Sequence, residues 1–506
     1  MSRTLDATIY LSDKSYQTLQ SSKLPEPFQI LPSTCTDLRS TVLHQIHHLV
    51  QQQKTRCLTT QEEDALDDGF MLCDLRTVQR KLKAWHLMFP RIKPFFALKC
   101  NPDPMVAGVL GLDPNSGFDC ASIAEIKLAL KVTNNDCRRA VYANPQRAIS
   151  DLDQSLFLGI GALTFDGKEE LTKVHDAYKR LVRNFRKDKD NMDNNESPLE
   201  EPLPPQMILR LVVPDKHSSV PLGEKFGAPP DKVEDLVEYA LELGLDVIGC
   251  SFHCGSGCHD PDAYYSAIKI AKEAIDVINS VIDRKNHTDG GNRSECTVLD
   301  IGGGYPGLDG SGGDDHRFSA TENKFDCGVI NPHADSDEDE TAYKIAKVVS
   351  PLVDELFGND TPIQIISEPG RYFVEAAFAF CARIYSVKVE EIDGIERRTY
   401  FIAQGVQGLF KDVLLCNETF IPIPLIVEED ELEQGVIGVK NTDGCEHFLS
   451  TVHGPSGNFD VVARDCMLPK LKVGDFLIFD RMGAYTLSIG KRDSSLPIRY
   501  VLGGHK

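Results

Sequence analysis

The sequence predicts an α/β region followed by an antiparallel β domain. From about Met71 to Glu368, short apolar runs alternate with amphipathic stretches rich in Lys and Glu. This alternation is typical of a parallel β/α fold, either a barrel or a doubly wound sheet. After Phe373, alternating apolar and polar residues separated by turns, as in SVKVEEI (386–392), indicate antiparallel strands. At 506 residues and 41% hydrophobic content, the chain is long enough for two or three domains with buried cores.

The apolar runs of the α/β region predict its strands in order. Most of them end in polar or glycine residues and precede a helical pattern, such as PDKVEDLVEYALELG (230–244). The runs are PFFALKCN (94–101), AVYANP (140–145), GALTFD (161–166), MILRLVV (207–213), DVIGCSFHCG (246–255), TVLDIGGG (297–304) and IQIISEPGR (363–371).

Composition shifts divide the chain into an N-terminal segment over 1–65, the β/α region over 66–373 and the β domain over 374–506. The N-terminal segment is expected to form a helix through Thr36–Gln53 and a strand, ATIYLS (7–12), that joins the β domain. Three polar or charged insertions, near 184–205, 284–295 and 310–343, are expected to be solvated and partly disordered loops.

Bulk properties argue against several classes of protein. The net charge of −22 argues against nucleic-acid binding and against an anionic membrane surface. No run of about 18 apolar residues predicts a spanning helix, and the polar start is not a secretory signal. The 15 scattered cysteines are typical of reduced thiols, so a cytoplasmic protein is expected. Cys254, Cys258 and His259 lack a second ligand pair at zinc spacing, so no metal is expected.

Polar residues that end the predicted strands are candidates for chemistry, because β/α barrels present reactive groups at these ends. Lys99 ends FFALKCN, where partial desolvation would make its amine a better nucleophile toward an aldehyde. Taken alone, Lys99 is better interpreted as an ordinary surface lysine. His253 could stack on a cofactor ring or be a hydrogen-bonded structural histidine. The backbone of Gly302–Gly304 could approach a phosphate, although many turns contain such glycines.

Two more strand-end residues and one tyrosine complete this set. Glu368 could pair with a protonated ring nitrogen and Arg371 with a phosphate, or the two could form a structural salt bridge. Tyr485, in MGAYT (482–486), could close over the phosphate or be core. Together, the lysine, acid, glycines, arginine and histidine describe a site for pyridoxal phosphate.

The order of motifs is similar to that of eukaryotic ornithine decarboxylases, over nearly the whole chain. Those enzymes belong to the alanine racemase-like group, so the resemblance implies a pyridoxal phosphate-binding (β/α)8 TIM barrel followed by an antiparallel β domain. It also implies a homodimer with shared active sites. The motifs are PFFALKCN, GFDCASIAEI (117–126), YANP (142–145), KFGA (225–228), SFHCGSGC (251–258), LDIGGGYPG (299–307), SEPGRY (367–372), VGDF (473–476) and MGAYT.

The resemblance implies a role for each matching residue. Lys99 is similar to the lysine that forms a Schiff base, Glu368 to the partner of the ring nitrogen, and His253 to the stacking residue. Lys225 and Asp460 resemble a salt bridge between subunits. The phosphate cradle corresponds to Ser256, Gly302, Gly303, Gly304, Gly370, Arg371 and Tyr485, and the residues packed beside the lysine and ring correspond to Asp119, Glu125 and Arg210.

The chain departs from this family on the substrate side. The family's loop carries a cysteine, which delivers a proton to the substrate, and an aspartate for the distal ammonium of ornithine. Here the loop reads HGPSGNFD (453–460), and Ser456, Gly457 and Asn458 occupy that region. A second aspartate of the family aligns with Asn417, which follows Cys416, and a C-terminal aromatic aligns near Ser494–Ser495.

A distal ammonium buried without a carboxylate costs several kcal/mol, so the substrate is expected to differ from ornithine. Glu418 and Asp412 are possible substitute acids. The favoured hypothesis is an amino-acid decarboxylase of this family with shifted specificity. The alternatives are an authentic ornithine decarboxylase that makes putrescine, and a non-catalytic regulator like the antizyme inhibitors, which bind antizyme.

Overall fold

A computed structural model describes residues 29–31, 42, 69–190, 201–216, 218–223, 225–307, 341–358, 361–426, 445–489, 496 and 498–501. The chain forms two compact units. The barrel unit comprises 82–309 and 330–373, and the β unit comprises 1–81, 310–329 and 374–506. The strand predicted at 7–12, the helix predicted at 36–53 except Val42, most of the insertion at 310–343, and Ser494–Ser495 lie outside the described residues.

The described residues form strands β1 to β20, which are, in chain order, Gln29–Leu31, Phe70–Asp74, Ile92–Ala97, Gly117–Cys120, Ala140–Tyr142, Ala162–Phe165, Gln206–Arg210, Ser218–Val220, Asp246–Ser251, Ser256–Cys258, Val298–Asp300, Gln364–Ser367, Phe378–Arg383, Ser386–Ile392, Ile395–Phe401, Ile423–Leu425, His447–His453, Val461–Pro469, Phe476–Phe479 and Ile498–Val501.

The same residues form helices α1 to α11, which are, in chain order, Leu75–Met88, Pro104–Gly111, Ile123–Val132, Ile149–Phe157, Lys168–Asp190, Val233–Glu242, Pro261–Asp289, Thr341–Phe357, Arg371–Val374, Asp412–Cys416 and Thr486–Ile489. Short 3₁₀ turns cover Cys137–Arg139, Pro230–Lys232 and Glu375–Ala377.

In the described part of the chain, eight parallel strands close a barrel in the order β3, β4, β5, β6, β7, β9, β11 and β12. The ring closes where β12 pairs with β3, through Ile365 opposite Ile92. These strands read as apolar runs because side chains on both faces are buried, which is the pattern of a parallel sheet covered by helices. Closure decides between the two architectures that the strand–helix alternation left open and confirms the barrel.

The barrel interior is a packed core at the level of several strands. One layer brings together small and large apolar side chains, all at most 5% exposed, from β3, from β5 and the residue that follows it, from β7 and from β12. A filled interior directs chemistry to the rim, where the strands end. The layer consists of Phe95, Val141, Ala143, Ile208 and Ile366.

Two helices extend further than predicted. α7 begins after the N-cap Asp260 and runs to Asp289, where Gly290 in the left-handed conformation (φ 69°) ends it. The insertion predicted near 284–295 therefore starts as helix, because Arg284 pairs with Glu234 and Glu238 on α6. Likewise, α5 continues to Asp190, inside the insertion predicted near 184–205.

The single tryptophan of the chain organises an aromatic cluster in the barrel unit. Trp85, on α1, is fully buried and donates a hydrogen bond from Nε1 to the carbonyl of Ile92 at 2.9 Å. Its ring lies 4.5 Å from Phe89, 5.0 Å from Tyr305 and 5.4 Å from Tyr372 between centroids. Tyr305 and Tyr372 follow the glycine segment and the arginine of the candidate site, so the cluster supports both loops.

Trp85→Ala is expected to lower the free energy of unfolding by about 3–5 kcal/mol, because it empties a large volume in a packed core. Urea denaturation followed by circular dichroism measures this. Leu87→Ala is the matched control, since Leu87 lies on the same helix and is 58% exposed, and a change within about 0.5 kcal/mol is expected. Equal losses in the two variants would contradict the assignment.

The β unit contains two sheets in its described residues. One has the order β1, β20, β2, β13, β19, β16, and the other β14, β15, β17, β18. Most pairs are antiparallel, as predicted, but β20 runs parallel to β1 and β2, and β15 runs parallel to β17. Strand β2 was predicted within the barrel region but pairs with β13 in the β unit, through Leu72 opposite Ala379.

Candidate functional site

The C-terminal ends of the barrel strands gather charged and polar side chains at one rim. Parallel strands in a closed barrel all end on the same side, so residues far apart in sequence meet there. The groups are Lys99 after β3, Asp119 in β4, His253 after β9, Asp300 at the end of β11 and Glu368 after β12.

Lys99 is held at this rim by a buried carboxylate. Its Nζ donates to Oδ2 of Asp119 at 2.6 Å, and its side chain is 33% exposed whereas that of Asp119 is completely buried. The other oxygen of Asp119, Oδ1, is buried and has no hydrogen-bond partner among the residues that the structure describes. A partly exposed amine fixed beside an acceptor is suited to attack a carbonyl carbon.

His253 presents a neutral, flat imidazole to the same region. The backbone N–H of Gly255 donates to Nδ1 at 3.0 Å, so the ring hydrogen of the neutral form lies on Nε2. Burial lowers the pKa of His253 well below its usual range, and the charges of Lys99 and Arg210 lower it further. An added Cβ at Gly303 would lie only 3.0 Å from Nε2, so the glycine makes room for the ring.

Glu368 and Asp300 form a pair of buried acids. Glu368 is 7% exposed and Asp300 has no exposed surface. Burial raises the pKa of Glu368 well above its usual range, and the negative charges of Asp119 and Asp300 add to the effect. A carboxyl group in this environment is stabilised as an anion when a cation approaches it, so Glu368 is suited to pair with a protonated ring nitrogen.

The glycine segment after β11 needs glycine for two physical reasons. Gly302 and Gly304 have φ values of 65° and 106°, in the left-handed region that other residues rarely adopt. A Cβ at Gly302 would also meet the Phe252 carbonyl oxygen at 1.9 Å. The Gly302 carbonyl accepts from Ser367 Oγ at 2.6 Å and from the N–H of Glu368 at 2.7 Å, which ties the segment to β12.

The other residues of the barrel unit that are predicted to bind the phosphate lie at or next to the start of a short strand or helix, near the C-terminal ends of the barrel strands. Ser256 starts β10, which pairs with β8. Arg371 starts α9 directly after Gly370, where a Cβ would meet that of Cys100 at 2.8 Å. An arginine and backbone N–H groups at the start of an element are donors that suit a phosphate.

Two residues predicted beside the lysine and ring have additional local contacts. Glu125 accepts from the N–H of Ala121 at 2.7 Å and from Ser122 Oγ at 3.1 Å, and its own N–H donates to the side chain of Ser122, the N-cap of α3. The guanidinium of Arg210 lies 4.9 Å from the centre of the Phe226 ring, and its charge acts on His253.

The donor set fits a molecule with an aldehyde, a ring nitrogen and a phosphate. Lys99 supplies the amine, Glu368 the acid, and Gly302–Gly304 with Arg371 the anion-binding groups. One carboxylate oxygen of Asp119 and one of Asp300 are buried and have no hydrogen-bond donor among the described residues. These oxygens make the site suited to bind a positively charged group. In the described residues, no group of three His, Cys, Asp or Glu side chains is placed to hold a metal ion.

Comparison with known proteins decides the family. The model for the pyridoxal-dependent decarboxylase, pyridoxal binding domain, matches residues 75–375. The chain belongs to this decarboxylase family. Its cofactor is pyridoxal phosphate, which agrees with the donor set at the barrel rim.

The decarboxylase is similar to relatives with different names. It is 31% identical to the chloroplastic ornithine decarboxylase of Nicotiana glauca, covering 86% of this chain and 83% of that one. It is 30% identical to antizyme inhibitor 2 of Xenopus laevis, over 88% of this chain and 82% of that one. Among solved structures, the arginine decarboxylase of Paramecium bursaria Chlorella virus bound to agmatine gives a TM-score of 0.66 at 27% identity, over 90% of this chain and 100% of that one. The resemblance to ornithine decarboxylases and the alanine racemase-like fold are confirmed.

The remaining predicted site residues of the decarboxylase lie in the β unit. Tyr485 has φ 64°, which is rare outside glycine. Cys416 ends α10, and Asn417 is its C-cap with φ 53°. Gly457 and Asn458 are exposed in the loop after β17. Their roles toward phosphate and substrate stay predictions.

Asp460 is the last residue of the loop HGPSGNFD (453–460), where the sequence departs from the family. It is 1% exposed, and it accepts from the N–H of Val406 at 2.7 Å, the N–H of Ser456 at 2.9 Å and Ser456 Oγ at 2.7 Å. A Cβ at Gly405 or Gly454 would lie 2.1 or 2.4 Å from its carboxylate oxygens. The carboxylate is thus already engaged within its own unit, while Lys225, its predicted partner across the dimer, is exposed.

Asp460→Ala is expected to destabilise the fold by about 3 kcal/mol, because it leaves one buried and two partly buried donors without their acceptor. Thermal and urea unfolding measure the loss. Glu446→Ala, at an exposed acid just before β17, is the control and should stay within about 0.5 kcal/mol of the wild type. A stable Asp460→Ala protein that is altered only in its oligomeric state would instead favour the predicted salt bridge to Lys225.

Sequence reasoning missed three residues that shape the rim. Asp300 was passed over although it is the polar end of an apolar run, the same signal that identified Lys99. Tyr264, on α7, donates to the Gly303 carbonyl at 3.2 Å, and Ser367 donates to that of Gly302. No local pattern marks Tyr264 as a site residue, since a buried helical tyrosine is usually core.

Proposed function

We propose that this decarboxylase acts on an α-amino acid whose side chain ends in a neutral polar group rather than an ammonium. The observation that carries the proposal is the residue set at the positions aligned with the family's substrate-side acids, which are Asn417, Ser456, Gly457 and Asn458. Amide and hydroxyl groups hydrogen-bond a neutral partner well, whereas a buried ammonium needs a carboxylate.

The nearby acids support this reading because they have other partners. Asp460 accepts hydrogen bonds from its own loop. Glu418 lies close enough to Arg481 to help raise the pKa of that guanidinium, so its charge is partly compensated. The remaining candidate, Asp412, begins the short helix α10, where a negative charge is stabilised by the helix dipole.

The chain's own residues account for the cofactor part of the reaction. When bound, pyridoxal phosphate supplies an electron sink for the electron pair left as CO2 departs. Lys99 would link to its aldehyde, with Asp119 holding Nζ in place. His253 would cover one face of the ring, Glu368 would stabilise positive charge on the ring nitrogen, and Gly302–Gly304 with Arg371 would hold the phosphate.

A proton must reach the α-carbon after CO2 leaves, and the family's loop thiol is not present for this step. The hydroxyl hydrogen of Ser456 is donated to Asp460 at 2.7 Å, so delivery from Ser456 requires this bond to break. Cys416, which is exposed, and water are the other donors. An amine would form if the proton reached the α-carbon. If it reached the cofactor instead, hydrolysis by water would give an aldehyde and leave the amino group on the cofactor.

The test is CO2 release from a panel of basic, neutral and acidic amino acids, with products identified by mass spectrometry and the Lys99→Ala protein as the blank. Turnover of a neutral polar amino acid, at least about tenfold more efficient than that of ornithine, is expected. Efficient ornithine turnover refutes the shifted specificity and favours putrescine synthesis, the alternative that similarity to ornithine decarboxylases supports.

The second candidate function is a regulator that binds antizyme. Its support is the similarity to antizyme inhibitor 2 together with the missing loop thiol. The complete set of cofactor residues at the rim opposes it, because a pure binding protein does not require them. A cofactor-loaded protein that releases no CO2 from any amino acid but retains antizyme in a pull-down would establish this alternative.

The protein is further proposed to act as a homodimer in the cytoplasm. Resemblance to the family supports the dimer, and the described cysteines form no disulfide with one another, which is compatible with a reducing compartment. No helix in the described residues is long and apolar enough to cross a membrane. Sedimentation velocity of the loaded protein tests the dimer, and a purely monomeric species would contradict it.

A further inference from the structure

Beside Glu368, the barrel buries a second carboxyl group that the proposed function leaves without a role. Asp300 ends β11, is fully buried and accepts a hydrogen bond from the N–H of Gly302 at 2.9 Å through Oδ1. In the part of the chain that the structure describes, its other oxygen, Oδ2, has no donor. The N–H of Glu368 donates to the Gly302 carbonyl at 2.7 Å, and a hydrogen bond from the Glu368 side chain is among the influences that lower the pKa of Asp300.

Two buried carboxyl groups this close share a proton, because adjacent negative charges repel strongly where water is excluded. Burial raises the pKa of Asp300 to about 7, and Asp119 adds to the rise while Lys99 opposes it. The charged and titratable groups that face Asp300 are Glu368, Asp119, Lys99, Cys250 and Tyr305.

We propose that Asp300 is a positioning residue for Glu368 and holds the shared proton when the cofactor is bound. This inference rests on the cofactor part of the proposed function and not on the substrate. Positive charge at the ring nitrogen favours the anionic form of Glu368, so the proton moves along the hydrogen bond from Glu368 to Oδ2 of Asp300. Above its pKa of about 7, Asp300 begins without a proton, so the pair keeps one proton and one negative charge throughout.

When the cofactor is bound and Asp300 holds the proton, the geometry allows Asp300 to orient the Glu368 carboxylate. Gly302 N–H fixes Oδ1, and the protonated Oδ2 donates to the Glu368 carboxylate, which gives the unpartnered oxygen a hydrogen-bond partner. This hydrogen bond from Asp300 orients the Glu368 carboxylate, whose negative charge remains available to pair with the ring nitrogen. The backbone that fixes Asp300 is also the backbone of the phosphate cradle, so one segment aligns the cofactor at both ends.

Infrared spectra of the cofactor-loaded protein in water and heavy water locate the proton, since a neutral carboxylic acid has a carbonyl band that a carboxylate lacks. The wild type is expected to show this band near neutral pH, and Asp300→Asn to lose it. Asp103→Asn is the matched control, because Asp103 is a buried aspartate that accepts from two backbone N–H groups at the start of α2. That variant should leave the band unchanged.

Cofactor affinity provides an independent readout that a merely structural role would not produce. Asparagine keeps the acceptor for Gly302 and offers an N–H in place of the acid O–H, so Asp300→Asn should bind the cofactor within about threefold of the wild type. Asp300→Ala, which loses both contacts, should bind about tenfold more weakly or worse. Circular dichroism verifies that both variants are folded.

The pH dependence of stability without cofactor gives the third readout. The folded pKa of Asp300, about 7, lies above its ordinary value of 3.8, so the folded state binds this proton more tightly than the unfolded state. The contribution of Asp300 to stability is therefore fully present below its ordinary pKa and is lost as pH rises through about 7. Asp300→Asn should flatten this decline between about pH 4 and 7.

A carbonyl band that survives in Asp300→Asn places the proton elsewhere and overturns the inference. An Asp300→Asn protein that binds cofactor as weakly as Asp300→Ala also overturns it, because a charge at Asp300 would then be required. None of these measurements uses a substrate, so a failed amino-acid panel leaves them intact. A wild type that takes up no cofactor would refute both proposals.

Discussion

Replacing Lys99 by alanine is expected to lower the rate of CO2 release by about a thousandfold or more, because it removes both the amine nucleophile and its proton-transfer capacity. The visible absorbance band that arises from the covalent link between lysine and cofactor should disappear as well. Spectra of the purified protein and single-turnover CO2 measurements check these effects. Mass spectrometry under denaturing conditions after borohydride reduction should find the cofactor attached to Lys99 in the wild type.

Lys93→Ala is the matched control for Lys99. Lys93 lies in the same strand, β3, but is exposed, so its loss should change neither the band nor the rate by more than about twofold. If the Lys99→Ala protein kept a normal absorbance band, Lys99 would not be the attachment site, and the reading of the entire rim would be wrong.

Glu368→Gln is expected to reduce kcat by about 10²–10³-fold, because the amide cannot stabilise positive charge on the ring nitrogen as the electron pair develops. The cofactor should still bind, since Lys99 and the phosphate cradle are unchanged. Steady-state kinetics beside the absorbance spectrum separate the two effects: kcat should fall while the band remains.

The number of protons released when the cofactor binds provides a second test of the role of Glu368. Burial raises the pKa of this carboxyl group well above its usual range, and the charges of Asp119 and Asp300 add to the rise, so the protonated form is favoured until a ring cation approaches. Cofactor uptake should therefore move this proton to Asp300 in the wild type, whereas Asp300→Asn, which cannot accept it as an acid, should release it to solvent. Glu242→Gln, at an exposed residue of α6, is the control and should match the wild type. Equal numbers of protons released by the wild type and by Asp300→Asn would contradict the transfer.

Much of the barrel could be predicted because its strands carry their signal locally. Apolar runs with polar ends identify both the strands and the side chains at the rim, as Lys99 and Glu368 illustrate. Barrel closure was not predictable from local pattern, since the pairing of β12 with β3 joins residues more than 260 positions apart. Resemblance to a family, rather than periodicity, predicted the closed form.

The structure differs from the sequence prediction at β2, at the end of α7 and at Asp460. The physical causes of these differences cannot be recognised in a short stretch of sequence. Strand β2 (Phe70–Asp74) is short and apolar, and its residues do not indicate which of the sheets it joins. The end of α7 looks like a loop by composition, but Arg284 and the acids of α6 keep it helical. Asp460 matched a residue of the family's dimer contact, whereas its nearest donors are in its own loop.

The lone tryptophan has an optical consequence. Trp85 touches the two tyrosines that follow the glycine segment and Arg371, and no other indole in the chain contributes to emission. A pyridoxal chromophore held at the rim absorbs in the near-ultraviolet and visible range, so it should quench Trp85 by energy transfer. The intensity of one native fluorophore would then follow cofactor arrival in real time, without any label.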